Sequence, residues 1–149
     1  MYIIGGEQLL RCDALVSCID FRLQAHLDAW LSSVLGYGTY DRVALASGVK
    51  EREAVLAQVA LAARLHGIRL VLLLNHEDCG AYGVEGTLAR HQADLRAIQR
   101  RIQAELPDLT VVLGYMQLDG AFVHIPVEAG APVQSLAAVV RGVLRGPES

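Results

Sequence analysis

Apolar residues along the chain alternate between two periods, short unbroken runs and stripes recurring every three or four positions. Residues 14–17, Ala-Leu-Val-Ser, form a short apolar run, after which Leu23, Leu27, Trp30, Leu31 and Val34 recur at helical spacing. Gly36-Tyr37-Gly38 punctuates the end of that helix. Residues 42–46 predict a second strand. Residues 51–66 predict a helix with Glu51 and Glu53 in its first turn and Gly67 just past its end. Residues 68–74 are apolar throughout except Arg69, the pattern of a central strand covered on both faces. A helix follows over 92–106, with Leu95, Ile98, Ile102 and Leu106 on one stripe and Pro107 closing it. Residues 110–116 predict a fourth strand. The turn dipeptide Asp119-Gly120 then folds 121–127 back as an antiparallel edge strand. The last helix carries Val133, Leu136, Val140 and Leu144.

Strands separated by helices predict an α/β fold, a mostly parallel sheet flanked by helices on both faces. The expected strand order is flavodoxin-like, 2-1-3-4, with the fifth, antiparallel strand at the edge. At 149 residues without repeat or linker, the chain is expected to be one domain spanning 1–149.

Composition narrows the function classes. A 53% hydrophobic and 19% charged chain has the makings of a substantial core. Its net charge of −3, with basic residues scattered among acidic ones, argues against nucleic-acid partners. No apolar run is long enough for a membrane span, and the N-terminal residues lack the pattern of a secretion signal. A cytoplasmic location is the expectation. Three cysteines in such a compartment favour metal binding or thiolate chemistry over disulfides. Cys12, at the start of the first strand, is expected to be a core residue.

The chemistry gathers in two segments, Cys18-Ile19-Asp20-Phe21-Arg22 after strand one and Asn75-His76-Glu77-Asp78-Cys79-Gly80 after strand three. Zinc favours thiolate and imidazole donors, and a catalytic zinc keeps three protein ligands with a fourth position open. Cys18, His76 and Cys79 supply that count. His76 and Cys79 lie three apart on a turn. Cys18 is far upstream, but strands one and three are neighbours in the expected order, and their carboxyl ends form the usual ligand crevice of an open α/β sheet. Asp20 is placed to face the metal, with Arg22 as its charge partner. Asp20 then has two options, accepting a hydrogen bond from zinc-bound water or taking the fourth coordination position itself.

Together these motifs resemble the C-x-D-x-R and H-x-x-C signatures of the β-class carbonic anhydrases, over about residues 13–83, and Asp78 and Gly80 around Cys79 match as well. The resemblance implies Cys18, His76 and Cys79 as zinc ligands and Asp20 and Arg22 as a catalytic dyad. It also implies reversible hydration of carbon dioxide to bicarbonate by zinc-bound hydroxide, in a homodimer or higher homo-oligomer. A related branch with the same ligands hydrolyses carbonyl sulfide or carbon disulfide. A third alternative is a non-catalytic zinc module, the outcome if Asp20 closes the coordination sphere. Where many members carry Arg-Asn-Ala-Gly after strand two, this chain has Leu45-Ala46-Ser47-Gly48, which makes the expected substrate wall more apolar. Ala46, Ser47, Gly48 and Gly80 are the expected pocket residues. His26, His66, His91 and His124 lack ligand spacing and are expected at the surface or satisfied internally, and Glu77 and Tyr82 border the site.

Overall fold

A computed structural model of the chain describes residues 3–4, 7–8, 13–34 and 40–145. Cys12 and the Gly36-Tyr37-Gly38 stretch lie outside the described residues. Two short antiparallel strands, β1 (Ile3–Ile4) and β2 (Glu7–Gln8), precede the main sheet. The sheet contains β3 (Asp13–Ser17), β4 (Tyr40–Ala44), β5 (Leu70–His76), β6 (Thr110–Met116) and β7 (Phe122–Ile125), in the order β4-β3-β5-β6-β7. The first three pairings are parallel and β6–β7 is antiparallel. This is the expected architecture, with the Asp119-Gly120 turn reversing the chain into the edge strand.

Strand alternation sorts the core into two layers. Register pairs Leu15 with Leu72 and Val16 with Leu73, so neighbouring strands present matching side chains to the same face. Val16, Val71, Leu73, Val111 and Leu113 pack against α2 (Arg52–His66) and α3 (Leu88–Glu105) through Val55, Val59, Leu95, Ile98 and Ile102. Leu15, Leu72, Leu74 and Val112 pack against α1 (Gln24–Val34) and α4 (Leu136–Arg145) through Leu27, Leu31, Leu136 and Val140. Each fully buried leucine or isoleucine contributes about 1.5–3 kcal/mol of transfer free energy, so both layers hold the sheet strongly. Among the described residues no helix is long and apolar enough to cross a membrane.

Several boundaries differ from the sequence expectation, each for a local reason. β4 ends at Ala44 because residues 46–49 turn, with Ser47 and Gly48 both at positive φ (81° and 67°). α2 starts at Arg52 and ends where Gly67 takes the left-handed conformation, its N–H bonded to the Ala63 carbonyl. α3 starts four residues earlier than the apolar stripe suggests, because the Thr87 side chain caps it by accepting from Arg90 N. β7 is limited to Phe122–Ile125, and Val133 is exposed ahead of α4.

Candidate metal centre

The carboxyl ends of β3 and β5 lie side by side, and two loops leave from them. After Ser17 the chain runs irregularly through Cys18-Ile19-Asp20 and then winds into a short 3-10 turn, Phe21–Leu23. Asp20 caps that turn, its Oδ1 accepting from Arg22 N at 2.9 Å. The second loop begins at His76, the last residue of β5, and turns at Asp78, whose φ is 55°.

This convergence brings Cys18, His76 and Cys79 together. One donor atom from each lies within 4.8 Å of the others, and all three residues are buried. His76 Nδ1 donates to the Glu77 carbonyl at 2.7 Å, which turns Nε2 toward the cluster. Nε2 is buried without a hydrogen-bond partner among the described residues. An imidazole nitrogen desolvated in this way is costly unless something else accepts its lone pair. Two sulfurs and that nitrogen form the soft donor set that zinc selects. The residues therefore fit a resident cation.

The electrostatics agree. Burial would raise the Cys18 thiol, but the neighbouring His76 imidazole and backbone N–H groups outweigh it and bring the group from 9.0 down to about 7. One of those donors is Ser47 N, 3.3 Å from Cys18 Sγ. Burial opposes the protonated form of His76, yet the Cys18 contact prevails and raises its pKa. Burial and the neighbouring Cys18 sulfur raise Cys79.

Asp20 lies at the edge of the cluster, its Oδ2 3.9 Å from His76 Nε2. Arg22 grips it with two nitrogens, Nη2 to Oδ2 at 2.7 Å and Nε to Oδ1 at 3.1 Å. Those bonds hold the Asp20 carboxyl down to about 2, so it is ionised at any working pH. The same guanidinium reaches the other loop, donating to Asp78 Oδ2 at 3.0 Å and to the Asp78 carbonyl at 2.9 Å. Of the residues expected to line a pocket, Ser47 and Gly48 are buried within the 46–49 turn, while Ala46 and Gly80 are exposed.

Glu77 lends its carbonyl to His76, and its carboxylate accepts from Leu118 N at 3.4 Å. Tyr82 follows Cys79 closely and is buried, its N–H bonded to the Cys79 carbonyl. His26 is exposed and packs against Gly120, whereas His66 contacts Asp41. His124 is partly buried. His91 is wholly buried and belongs to a polar network behind the metal cluster that the sequence did not reveal. Asn75 Nδ2 donates to His91 Nδ1 at 2.9 Å and to Tyr82 Oη at 3.1 Å, and Tyr82 donates in turn to Asp94 Oδ2 at 2.8 Å. Arg90 and Arg52 complete the shell of Asp94. The available signal was the i, i+3 pair His91 and Asp94, in phase with Leu95 and Ile98 on the buried stripe of α3.

Burial, reinforced by the charge on His76, lowers His91 from 6.5 to about 4. Between those values the unfolded chain binds a proton that the folded chain refuses. Stability from this residue is thus fully present above about pH 6.5 and falls by up to about 3 kcal/mol as the pH drops to 4. Urea unfolding at about pH 7.5 and about pH 4.5 is expected to show that loss, and His91→Phe is expected to reduce the difference.

Comparison with known proteins bears on the family and the fold. Over 130 residues, 74% of this chain and 70% of the relative, the sequence is 26% identical to an uncharacterized protein of Rickettsia conorii. The fold is similar to a carbonic anhydrase from Glaciozyma antarctica, with a TM-score of 0.60 and 18% identity over 78% of this chain and 85% of that one. It is also similar to a carbonic anhydrase from Streptococcus mutans, with a TM-score of 0.55 and 20% identity over 80% and 86% of the two chains. At these identities the structural likeness speaks for the fold. The family itself is set by sequence, because the profile described as "Putative carbonic anhydrase" matches residues 11–125, more than three quarters of the chain. The chain with this buried Cys-His-Cys cluster belongs to that carbonic anhydrase family.

Proposed function

We propose that the chain is a single-domain, zinc-dependent lyase, a carbonate dehydratase that interconverts carbon dioxide and bicarbonate. In this reading Cys18, His76 and Cys79 hold the cation and Asp20 and Arg22 act beside it. The observation that carries it is the buried Cys-His-Cys cluster with an unpartnered His76 Nε2 and an Asp20 carboxylate held 3.9 Å away by Arg22.

Zinc, when bound, supplies hydroxide at neutral pH by lowering the pKa of water to about 7. The two thiolates of Cys18 and Cys79 would cancel the charge of the dication, and the neutral imidazole of His76 would add none. The rest is the work of the chain. Asp20, ionised, offers Oδ2 as a hydrogen-bond acceptor and orients the attacking oxygen. Arg22 keeps that carboxylate aimed and restrains it from the fourth coordination position, which argues against a permanently closed, non-catalytic zinc module. Ser47 N–H stabilises the Cys18 thiolate. Ala46, Ser47, Gly48 and Gly80 form the wall on the substrate side. The family resemblance favours a homodimer or larger homo-oligomer, and the cytoplasm is the location expected from the sequence pattern.

Stopped-flow hydration of carbon dioxide from roughly pH 6.5 to 9, paired with metal analysis, tests this reading. Stoichiometric zinc and a catalysed rate that rises with pH are expected. Zinc with a flat, uncatalysed rate at every pH would favour the non-catalytic module.

One observation favours a second substrate class. Ile19 and Phe21 flank Asp20 and are 59% and 86% exposed, and Leu45-Ala46 stands where many members of the family carry a cation and an amide. An apolar rim suits a linear, weakly polar substrate such as carbonyl sulfide or carbon disulfide. Sulfide released from either gas by the zinc-loaded protein would establish this activity.

A further inference from the structure

Asn75 immediately precedes His76 and is 1% exposed, and its carboxamide is engaged by Val49, Tyr82 and His91. Its carboxamide can sit in only one orientation. Tyr82 spends its hydroxyl proton on Asp94, so toward Asn75 it accepts, which leaves His91 Nδ1, on the same side of the carboxamide, to accept as well. Nδ2 therefore faces those two groups, and Oδ1 faces the 46–49 turn, where it accepts from Val49 N at 3.2 Å.

The turn is fitted closely to that oxygen. A Cβ on Gly48 would lie 2.5 Å from Asn75 Oδ1 and 2.9 Å from the Leu74 carbonyl, at a φ of 67° that disfavours any side chain. The adjacent Ser47 has a φ of 81°, uncommon for a residue with a β-carbon. A serine held in that conformation points to surroundings that impose it. Its N–H is the donor that reaches Cys18 Sγ at 3.3 Å.

We infer that Asn75 is a positioning residue of the metal centre: its buried carboxamide holds the 46–49 turn so that Ser47 N–H is delivered to the Cys18 sulfur, and it thereby sets how strongly that sulfur donates to a bound cation. The inference rests on the zinc reading above. A hydrogen bond to a thiolate withdraws electron density from sulfur, which raises the energy of sulfur-to-metal charge transfer and stabilises the anionic donor. The chain of influence runs from His91 and Tyr82 through Asn75 to Val49 and Ser47, and ends at Cys18. None of the intermediate residues needs to touch the cation.

The test uses the full chain with Co2+ alone as the spectroscopic probe and Zn2+ in competition with a chromophoric chelator. Asn75→Ala removes the anchor. Gly48→Ala keeps the asparagine but sets a Cβ against its Oδ1 and the Leu74 carbonyl, which parts the turn from its anchor by a second route and decides the matter if Asn75→Ala does not fold. Each variant is expected to move the thiolate-to-Co2+ charge-transfer band to longer wavelength and to weaken Zn2+ binding about 10- to 100-fold. The double variant is expected to go no further than the stronger single one, since both act through one contact. An unmoved band in the folded variants overturns the inference even if affinity falls, because a merely structural role would lower affinity without altering the sulfur. A wild-type chain that shows no thiolate-to-Co2+ band overturns the zinc reading itself, and this inference with it.

Discussion

Cys18→Ser and Cys79→Ser are each expected to emerge from dialysis without stoichiometric zinc and with carbon dioxide hydration reduced at least ~100-fold, a loss beyond that caused by removing a hydrogen-bond partner of a ligand. The reason lies in the donor atom. A serine hydroxyl does not ionise near neutrality, whereas Cys18 is already lowered to about 7 by its surroundings, burial notwithstanding. Cys79 is raised by burial, so it yields its proton only in exchange for a cation. Zinc uptake by the wild-type chain should accordingly release protons, and each serine variant should release fewer. Metal analysis, stopped-flow hydration and far-ultraviolet circular dichroism on the same samples separate loss of the centre from loss of the fold. A serine variant with full zinc and full rate would mean that its sulfur is not a ligand.

Asp20→Ala is expected to give the opposite split, with stoichiometric zinc retained and the hydration rate reduced about 100-fold or more, the range associated with a positioned acid–base group. The carboxylate stands 3.9 Å from His76 Nε2, close enough to act beside the cation but held by Arg22 away from it. Arg22→Ala should also impair turnover, by a different route. Without the guanidinium, Asp20 keeps only the backbone N–H of residue 22 on Oδ1; Oδ2 is then released to join the cluster as a fourth ligand, and a closed sphere has no open position. The Co2+ spectra of the two variants should therefore differ while both lose activity. Full activity in Asp20→Ala would remove the role assigned here to that residue.

How far the sequence carried these expectations depended on what each residue packs against. Cys18, His76 and Cys79 were legible because a soft donor set with an i, i+3 pair at one strand end is rare, and because the strand pattern placed the other cysteine next to it. Strand order was legible too, since residues 70–74 are buried on both faces and only a central position permits that. The polar network was not. Asn75 looks like an ordinary loop residue, and nothing in the local pattern says that its partners are Val49, Tyr82 and His91. Apolar periodicity also passes over a buried stripe that begins with a histidine and an aspartate, so α3 was expected to start at 92 although Thr87 caps it and Leu88 opens it. Residues 45 and 46 were expected to extend a strand for the mirror-image reason. Their apolar side chains suit one, but positive φ at Ser47 and Gly48 bends the backbone away, a constraint imposed from β5 rather than by local propensity.

Arg22 joins the Cys18 loop to the Asp78 carbonyl across a sequence separation of 56 residues, and it does so through the protein alone. The receptacle for the ion is consequently held in shape by a strut between its two lips, on top of a sheet that both apolar layers already stabilise. In small zinc modules the metal is the keystone, and its departure dissolves the structure. On the zinc reading the ion here would be closer to a tenant, and exchange with the surrounding metal supply would be a matter of access and ligand protonation rather than of refolding.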